Sequence, residues 1–281
     1  MINVTRCVLC SLLVMTLACL LGCSSSDEPE GSGSPVRDDR VGPGEKSVEP
    51  VEVTVFAAAS LTEILDDFHS DLSAETPELQ PRANLAGTQE LVIQAQQGAQ
   101  FDVFLSASER HMDTLVADGL VREPVPFCHN GICVAVDPAS TEVRELADLA
   151  SEGTSIAVAT ETCPVGRYTR QVWSLMAEAP DFGPEYAEAI RANVVSEETN
   201  VKLVLSKVAL GEVDAGFVYV TDVVGQELAV LQLPDTVQVP STYVAAVSSE
   251  TPRSQAAEEY LAALTGPMGA KHLEEAGFRL Q

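Results

Sequence analysis

Positive charge is scarce in this chain. Its 281 residues include 16 lysines and arginines against 42 aspartates and glutamates, which gives a net charge of −26 at pH 7. A protein needs clustered basic side chains to hold a nucleic-acid backbone or an anionic lipid surface. The composition therefore argues against nucleic acid and against a polybasic membrane patch, and the scattered carboxylates predict a strongly hydrated surface.

Catalytic motifs are also missing. The chain has no Gly-x-Ser-x-Gly elbow of the kind that presents a nucleophilic serine. Its histidines occur in no recognisable triad context: His69, His111, His129 and His272. We therefore expect a protein that is not an enzyme and that needs no cofactor.

The N-terminal region has the pattern of an export signal. An apolar stretch, residues 8–21, leads into Leu-Leu-Gly-Cys23, which is similar to a bacterial lipoprotein box. Residues 24–50 are polar and rich in serine, glycine and proline, so they cannot bury enough apolar surface to order themselves. We predict a lipoprotein signal peptide over 1–22, a lipidated Cys23 and a flexible tether over 23–50, which would anchor the protein to the outside of the cell membrane. An ordinary signal peptide or an uncleaved anchor would also fit the apolar stretch.

The unit that follows holds three cysteines, Cys128, Cys133 and Cys163. In an oxidising compartment, an odd number predicts one disulfide and one free thiol. Cys133 lies in the apolar run 132–136 and is predicted to be a buried strand residue, so we expect a disulfide between Cys128 and Cys163. A zinc site is disfavoured because Cys128, His129 and Cys133 lack a fourth ligand.

Apolar patterns of period two and of period three to four alternate from residue 51 onward. This order predicts an α/β fold with mixed, mostly parallel sheets and flanking helices. Two successive series of alternating strands and helices predict two lobes, with the chain passing between them twice. The first lobe is predicted over 51–127 and 241–281, and the second over 128–240. The predicted strands cover 51–55, 80–86, 101–105, 132–136, 155–159, 215–220 and 242–247. The predicted helices cover 61–72, 89–97, 112–119, 164–176, 201–208, 256–264 and 269–276.

Several predicted strands are followed at once by a small or hydroxyl residue and a helix. Ser60 is predicted to cap the first helix, in a capping box with Glu63. Thr88 and Pro164 open two more helices, and Tyr219 ends a strand. Free N–H groups at helix starts can bind an anion, whereas a single capping box is a purely structural device. Because ligands of open α/β sheets bind beyond the carboxyl ends of the strands, the set together favours an anion pocket.

Five segments in combination resemble the molybdate-binding proteins of ABC transporters. They are Val53–Leu61, Ala86–Thr88, Phe101–Ala107, Pro164–Tyr168 and Gly216–Tyr219. The resemblance extends from Val53 to Phe278, and it is the combination that is specific. It implies a two-lobe type II periplasmic-binding-protein fold whose lobes close on a tetrahedral oxyanion in the cleft between them.

Position by position, the resemblance implies five residues that bind the oxyanion by donating hydrogen bonds to it, and no residue that ligates its metal atom directly. They are Ser60 and Thr88 through hydroxyl and backbone N–H, Val165 and Val201 through backbone N–H, and Tyr219 through its hydroxyl. Arg167, beside Val165, is expected to face solvent.

The function implied by the resemblance is capture of molybdate, or of tungstate of nearly the same size, and delivery to an ABC permease and its ATPase. The protein is expected to be a monomer. Two alternatives stay open: an oxyanion-sensing lipoprotein for a membrane signalling partner, and a binder of another anion such as sulfate. A ferric-ion binder would need paired tyrosines, and Tyr219 is followed by Val220.

Overall fold

The computed structural model describes residues 50–281. The chain divides into two units, Met1–Lys46 and Ser47–Gln281, and every helix and strand given below belongs to the second. The predicted signal peptide, the lipidation of Cys23 and the predicted tether as far as residue 49 lie outside the described residues. Within residues 50–281, no helix combines the length and the apolar character needed to cross a bilayer.

Strands and helices alternate through most of the described chain. The strands are β1 (Val51–Ala58), β2 (Leu79–Ala86), β3 (Val103–Ser106), β4 (Val121–Asn130), β5 (Ile132–Val136), β6 (Ile156–Ala159), β7 (Val194–Glu198), β8 (Ala215–Tyr219), β9 (Ala229–Gln232), β10 (Ser241–Ser248) and β11 (Arg279–Leu280). The helices are α1 (Thr62–Glu75), α2 (Thr88–Gln96), α3 (Glu109–Ala117), α4 (Pro164–Glu178), α5 (Pro184–Ala192), α6 (Val201–Ala209), α7 (Ser254–Thr265) and α8 (Pro267–Glu275).

The first sheet is mixed and has the strand order β11-β4-β10-β3-β1-β2. Strand β1 pairs in parallel with β2 and β3, while β10 is antiparallel to β3 and β4. Successive side chains of β1 point to opposite faces. Val53 and Val55 therefore pack in one cluster with α1, α7 and α8, whereas Phe56 packs in another with α2 and α3. Helices cover both faces of this sheet.

The second sheet has the order β7-β6-β8-β5-β9. Strand β6 pairs in parallel with β7 and β8, while β5 is antiparallel to β8 and β9. A separate hydrophobic cluster includes Trp173 of α4 and Val204 of α6. Two sheets, each with its own core, form two lobes and confirm the predicted two-lobe α/β fold with mixed sheets. The prediction that the sheets are mostly parallel is wrong, because four of the strand pairings are parallel and five are antiparallel. The unit 47–281 thus contains complete cores of its own, which is what an independently folding unit needs.

The chain crosses between the two sheets twice. Strand β4 remains in the first sheet as far as Asn130, and β5 begins the second sheet at Ile132, so the first crossing lies at Gly131. The predicted boundary at residue 128 therefore falls inside β4. The chain is back in the first sheet when β10 begins at Ser241.

Strand β4 is absent from the sequence prediction because it contains Pro124 and Pro126, which cannot donate to a ladder of backbone hydrogen bonds. Its pairing with β10 shifts register twice, between Tyr243 and Val244 and between Ala245 and Val247. Such bulges let a strand contain residues that do not pair. The sequence prediction also misses α5 and the three edge strands β7, β9 and β11, whose side chains are at most partly buried.

Candidate functional site

The turn after β1 corrects the prediction for Ser60. Ala59–Leu61 form a short 3-10 turn, and α1 begins at Thr62 with Leu61 in the cap position and no side-chain capping bond. The predicted N-cap at Ser60 and its capping box with Glu63 are therefore wrong. The Ser60 hydroxyl instead pairs with the phenol of Tyr243, with 2.7 Å between the oxygens, and both side chains are buried.

Thr88 lies at the first position of α2, directly after the N-cap Gly87. Its hydroxyl oxygen accepts a hydrogen bond from the N–H of Ala107 at 3.3 Å, which leaves the hydroxyl proton available. At Gly87, a Cβ atom would lie 2.5 Å from the carbonyl oxygen of Thr199 in the second lobe. Glycine at this position therefore lets the two lobes approach each other beside Thr88.

Helix α4 positions the N–H group of Val165. Pro164 occupies the first helical position, as predicted, and Val165 the second, so this N–H has no acceptor within the helix. A Cβ atom on Gly166 would lie 2.1 Å from the carbonyl oxygen of Thr160, so glycine lets the helix begin this close to β6. The Cys163 side chain makes no capping hydrogen bond to this helix start, and burial raises the pKa of its thiol to about 12, so the sulfur stays neutral. The Val165 N–H is therefore available to an anion.

Helix α6 and strand β8 supply the other two groups of the second lobe. Asn200 caps α6 by accepting a hydrogen bond from the N–H of Leu203 at 3.1 Å, and Val201 follows at the first helical position. Tyr219 ends β8, and its buried hydroxyl has no partner among the described residues. Burial raises the pKa of Tyr219 well above its ordinary value, so the phenol stays neutral and can donate. Since an unpaired buried hydroxyl is costly, Tyr219 indicates a ligand that completes its hydrogen bonding.

All five predicted oxyanion-binding residues line one cavity between the lobes. The strands preceding them end at the same edge of each sheet, because β1, β2 and β3 are parallel neighbours, as are β7, β6 and β8. The cavity is small, with about 10 Å³ of free space, which is close to the room that one water molecule needs. None of the described residues that line it carries a charge. It therefore offers neutral hydrogen-bonding groups to a small ligand.

Side-chain contacts join the two lobes beside the cavity. Lys202 reaches Glu63 at 2.7 Å, and the Gln89 amide donates to the carbonyl oxygen of Thr199 at 2.6 Å. Arg167 Nη2 donates to the hydroxyl of Ser108 at 3.2 Å. The prediction that Arg167 faces solvent is therefore wrong, because its half-buried guanidinium spans the cleft.

Lys202 also pairs with a buried carboxylate of its own lobe. Its Nζ lies 2.9 Å from Oδ1 of Asp222, whose side chain is fully buried. The other oxygen of Asp222 accepts a hydrogen bond from the N–H of Tyr219 at 3.1 Å. Burial raises the pKa of Asp222 to about 6, against the opposing effect of Lys202. Burial lowers the pKa of Lys202, but the carboxylates of Asp222 and Glu63 together raise it above its ordinary value.

The three cysteines of the described chain are buried free thiols. The predicted disulfide is wrong because Cys128 belongs to the core of the first lobe and Cys163 to the core of the second. Cys133 is a buried residue of β5, as predicted. Burial raises the pKa of all three thiols. Within residues 50–281, no three His, Cys, Asp or Glu side chains are grouped so that they could hold a metal ion.

Comparison with known proteins identifies the family to which this chain belongs. The family of bacterial extracellular solute-binding proteins matches residues 53–279. Over 268 residues, 94% of each chain, the protein is 31% identical to the molybdate-binding protein ModA of Mycobacterium tuberculosis strain H37Rv. The periplasmic molybdate-binding protein of Azotobacter vinelandii superposes with a TM-score of 0.71 at 19% identity, over 82% of this chain and 99% of that one. The sulfate-binding protein SubI of M. tuberculosis superposes with a TM-score of 0.70 at 14% identity, over 82% and 86%. These two structures show a shared fold, and the fold alone does not select the anion.

Proposed function

This chain belongs to the bacterial extracellular solute-binding proteins, and we propose that it captures molybdate, or tungstate of nearly the same size, for an ABC importer. The observation that carries the proposal is the unpaired Tyr219 hydroxyl, in a cavity that neutral donors of both lobes line. In the proposed complex Ser60, Thr88 and Tyr219 donate through hydroxyl groups, and Val165 and Val201 through backbone N–H. The 31% identity to a molybdate-binding protein over 94% of the chain supports molybdate as the anion.

A strongly acidic protein can hold a dianion in such a cavity without a cation in direct contact. Donors that are already oriented by helix starts and strand ends lose little reorganisation energy when the anion arrives. The nearby carboxylate of Asp222 is compensated by Lys202 at 2.9 Å, which limits its repulsion of the anion. Size would then separate the anions, because fixed donors spaced for a larger anion leave some hydrogen bonds to sulfate unmade.

The contacts of Ser60 favour a role in binding the anion over a role as a catalytic nucleophile. A nucleophilic serine needs a general base beside it. The partner of Ser60 is the Tyr243 phenol, whose pKa burial raises well above its ordinary value. We therefore propose that the anion is cargo, that it is released unchanged, and that binding needs no cofactor.

Membership of this family indicates that the protein is extracellular. We propose that a lipid on Cys23 anchors it to the membrane. There it would act as a monomer that delivers the anion to the permease and its ATPase. The polar residues 24–50 would then be the tether. Mass spectrometry of the N-terminal peptide from a membrane fraction tests this. A diacylated Cys23 is expected, and an unmodified Cys23 in the mature protein would contradict the anchor.

A thermal-shift series on residues 47–281 tests the proposed ligand. A ligand that binds the folded state alone stabilises it by about 2.7 kcal/mol at a hundred times its dissociation constant. Molybdate and tungstate should each raise the melting temperature, while equal concentrations of sulfate and phosphate should not. A matched control is the double variant Ser60→Ala, Tyr219→Phe, which keeps the core and should lose the shift. A larger shift with sulfate would assign the site to sulfate instead.

A further inference from the structure

The Ser60 hydroxyl has a fixed partner behind the cavity. Its oxygen lies 2.7 Å from the Tyr243 hydroxyl, and Ser60 and Tyr243 are 5% and 0% exposed. Tyr243 comes from the middle of the first sheet, on β10, and does not line the cavity itself. We propose that Tyr243 is a positioning residue that fixes the Ser60 hydroxyl as a hydrogen-bond donor to the anion; this rests on the function proposed above.

The direction of the hydrogen bond follows from the two hydroxyl groups themselves. A phenol is a stronger hydrogen-bond donor than an aliphatic alcohol because its proton is more acidic, so Tyr243 donates to the Ser60 oxygen. The Ser60 proton is then free to point into the cavity, which Ser60 lines.

The ring of Tyr243 is held in place by aromatic neighbours. Phe278 and Phe127 meet it edge-on, with ring centroids 5.2 Å and 6.2 Å away, and Tyr219 lies at 5.9 Å. The phenol oxygen therefore has little freedom to turn away from Ser60. A phenylalanine at this position would keep these contacts and remove only the hydroxyl.

The Thr88 hydroxyl is also oriented as a hydrogen-bond donor. Its hydroxyl oxygen accepts from the N–H of Ala107, so its proton too is left for the cavity. Both hydroxyl groups of the first lobe thus face the anion as donors. An oxyanion that carries a proton, such as hydrogen phosphate, needs an acceptor for that proton, and the occupied hydroxyl oxygens of Ser60 and Thr88 do not offer one. Tyr243 would therefore contribute to selection of fully ionised oxyanions.

Calorimetry on four forms of residues 47–281 tests this role: wild type, Tyr243→Phe, Ser60→Ala and the double variant. Tyr243→Phe should weaken molybdate binding by about three- to tenfold, the effect of one hydrogen bond. If Tyr243 acts through Ser60, the double variant should bind within about twofold of Ser60→Ala, because the two effects are not additive for coupled residues. The ratio of molybdate to hydrogen phosphate affinity should also fall in Tyr243→Phe.

Tyr260→Phe is the matched control. Tyr260 is a fully buried tyrosine of the same lobe whose hydroxyl pairs with His69 at 2.8 Å and does not line the cavity. It should lose stability comparably to Tyr243→Phe and keep wild-type affinity. Wild-type affinity and selectivity in Tyr243→Phe, or additive losses in the double variant, would overturn the positioning role alone. Absence of oxyanion binding by the wild type would overturn the proposed function and, with it, this inference.

Discussion

Replacing Lys202 by methionine tests the buried ion pair beside the site. The Asp222 side chain is fully buried, whereas the Lys202 side chain remains 22% exposed. Methionine keeps most of the apolar stem, so the change removes the ammonium group with little loss of packing. Removal of one partner of a buried pair costs about 3–5 kcal/mol. Because water can reach the space that Lys202 vacates, we expect the lower end, about 3 kcal/mol of unfolding free energy, at about pH 8.

This loss should depend on pH. The pKa of Asp222 is about 6 in the folded protein, above its ordinary value of 3.8. The contribution of Asp222 to stability is therefore most favourable below the ordinary value and is lost as the pH rises through about 6. Without Lys202 the ionised carboxylate has no counter-charge, so the penalty is largest above this pKa. At about pH 5, where Asp222 is mostly protonated in both proteins, the loss should fall below about 1 kcal/mol.

Urea unfolding of residues 47–281 at these two pH values is the assay. Lys207→Met is the matched control, since Lys207 lies on the same helix and its shortest ion pair, at 3.0 Å, is with the exposed carboxylate of Glu212, so the change should alter stability little at either pH. Adding Asp222→Asn to Lys202→Met should restore most of the stability and remove the pH dependence. An equal loss at both pH values, or a loss under about 1 kcal/mol at pH 8, would refute the account of the pair.

Other predictions concern the ligand groups, the glycines and the thiols. Ser60→Ala and Tyr219→Phe should each weaken molybdate binding by about 1–3 kcal/mol in calorimetry, and an unchanged affinity would remove that residue from the ligand set. Gly87→Ala should leave urea unfolding nearly unchanged but weaken binding by about 1–3 kcal/mol, because its methyl group would meet the Thr199 oxygen across the cleft. Gly166→Ala should lower stability as well, since its methyl group would meet backbone of its own lobe; similar stability of the two variants would contradict this distinction. The three cysteines of residues 47–281 should resist a thiol reagent in the native protein and all react after unfolding without reductant, whereas a single reactive thiol would indicate a disulfide.

Regular local patterns could be read from the sequence. The apolar spacing from Leu61 to Leu72 predicted α1, and Pro164 marked the start of α4. The resemblance then indicated five residues that the structure brings to one cavity. Such features depend on neighbours within a few residues and on the edge of the sheet at which parallel strands end, so sequence order is sufficient to find them.

Contacts between distant segments could not be predicted in this way. The Ser-x-x-Glu pattern favours a capping box, but Ser60 bonds to Tyr243, 183 positions away, and Glu63 to Lys202, 139 positions away. Tertiary hydrogen bonds replaced the local ones at both positions. The disulfide prediction failed for a similar reason, because counting cysteines does not show that Cys128 and Cys163 belong to separate cores.

Calorimetric titration of residues 47–281 with molybdate, and separately with sulfate, tests the central claim most directly. The proposed donor set predicts one molybdate per protein, no loss of binding without added metal, and sulfate affinity weaker by roughly 100-fold. No heat with molybdate at micromolar protein, or equal affinity for the two anions, would contradict the account.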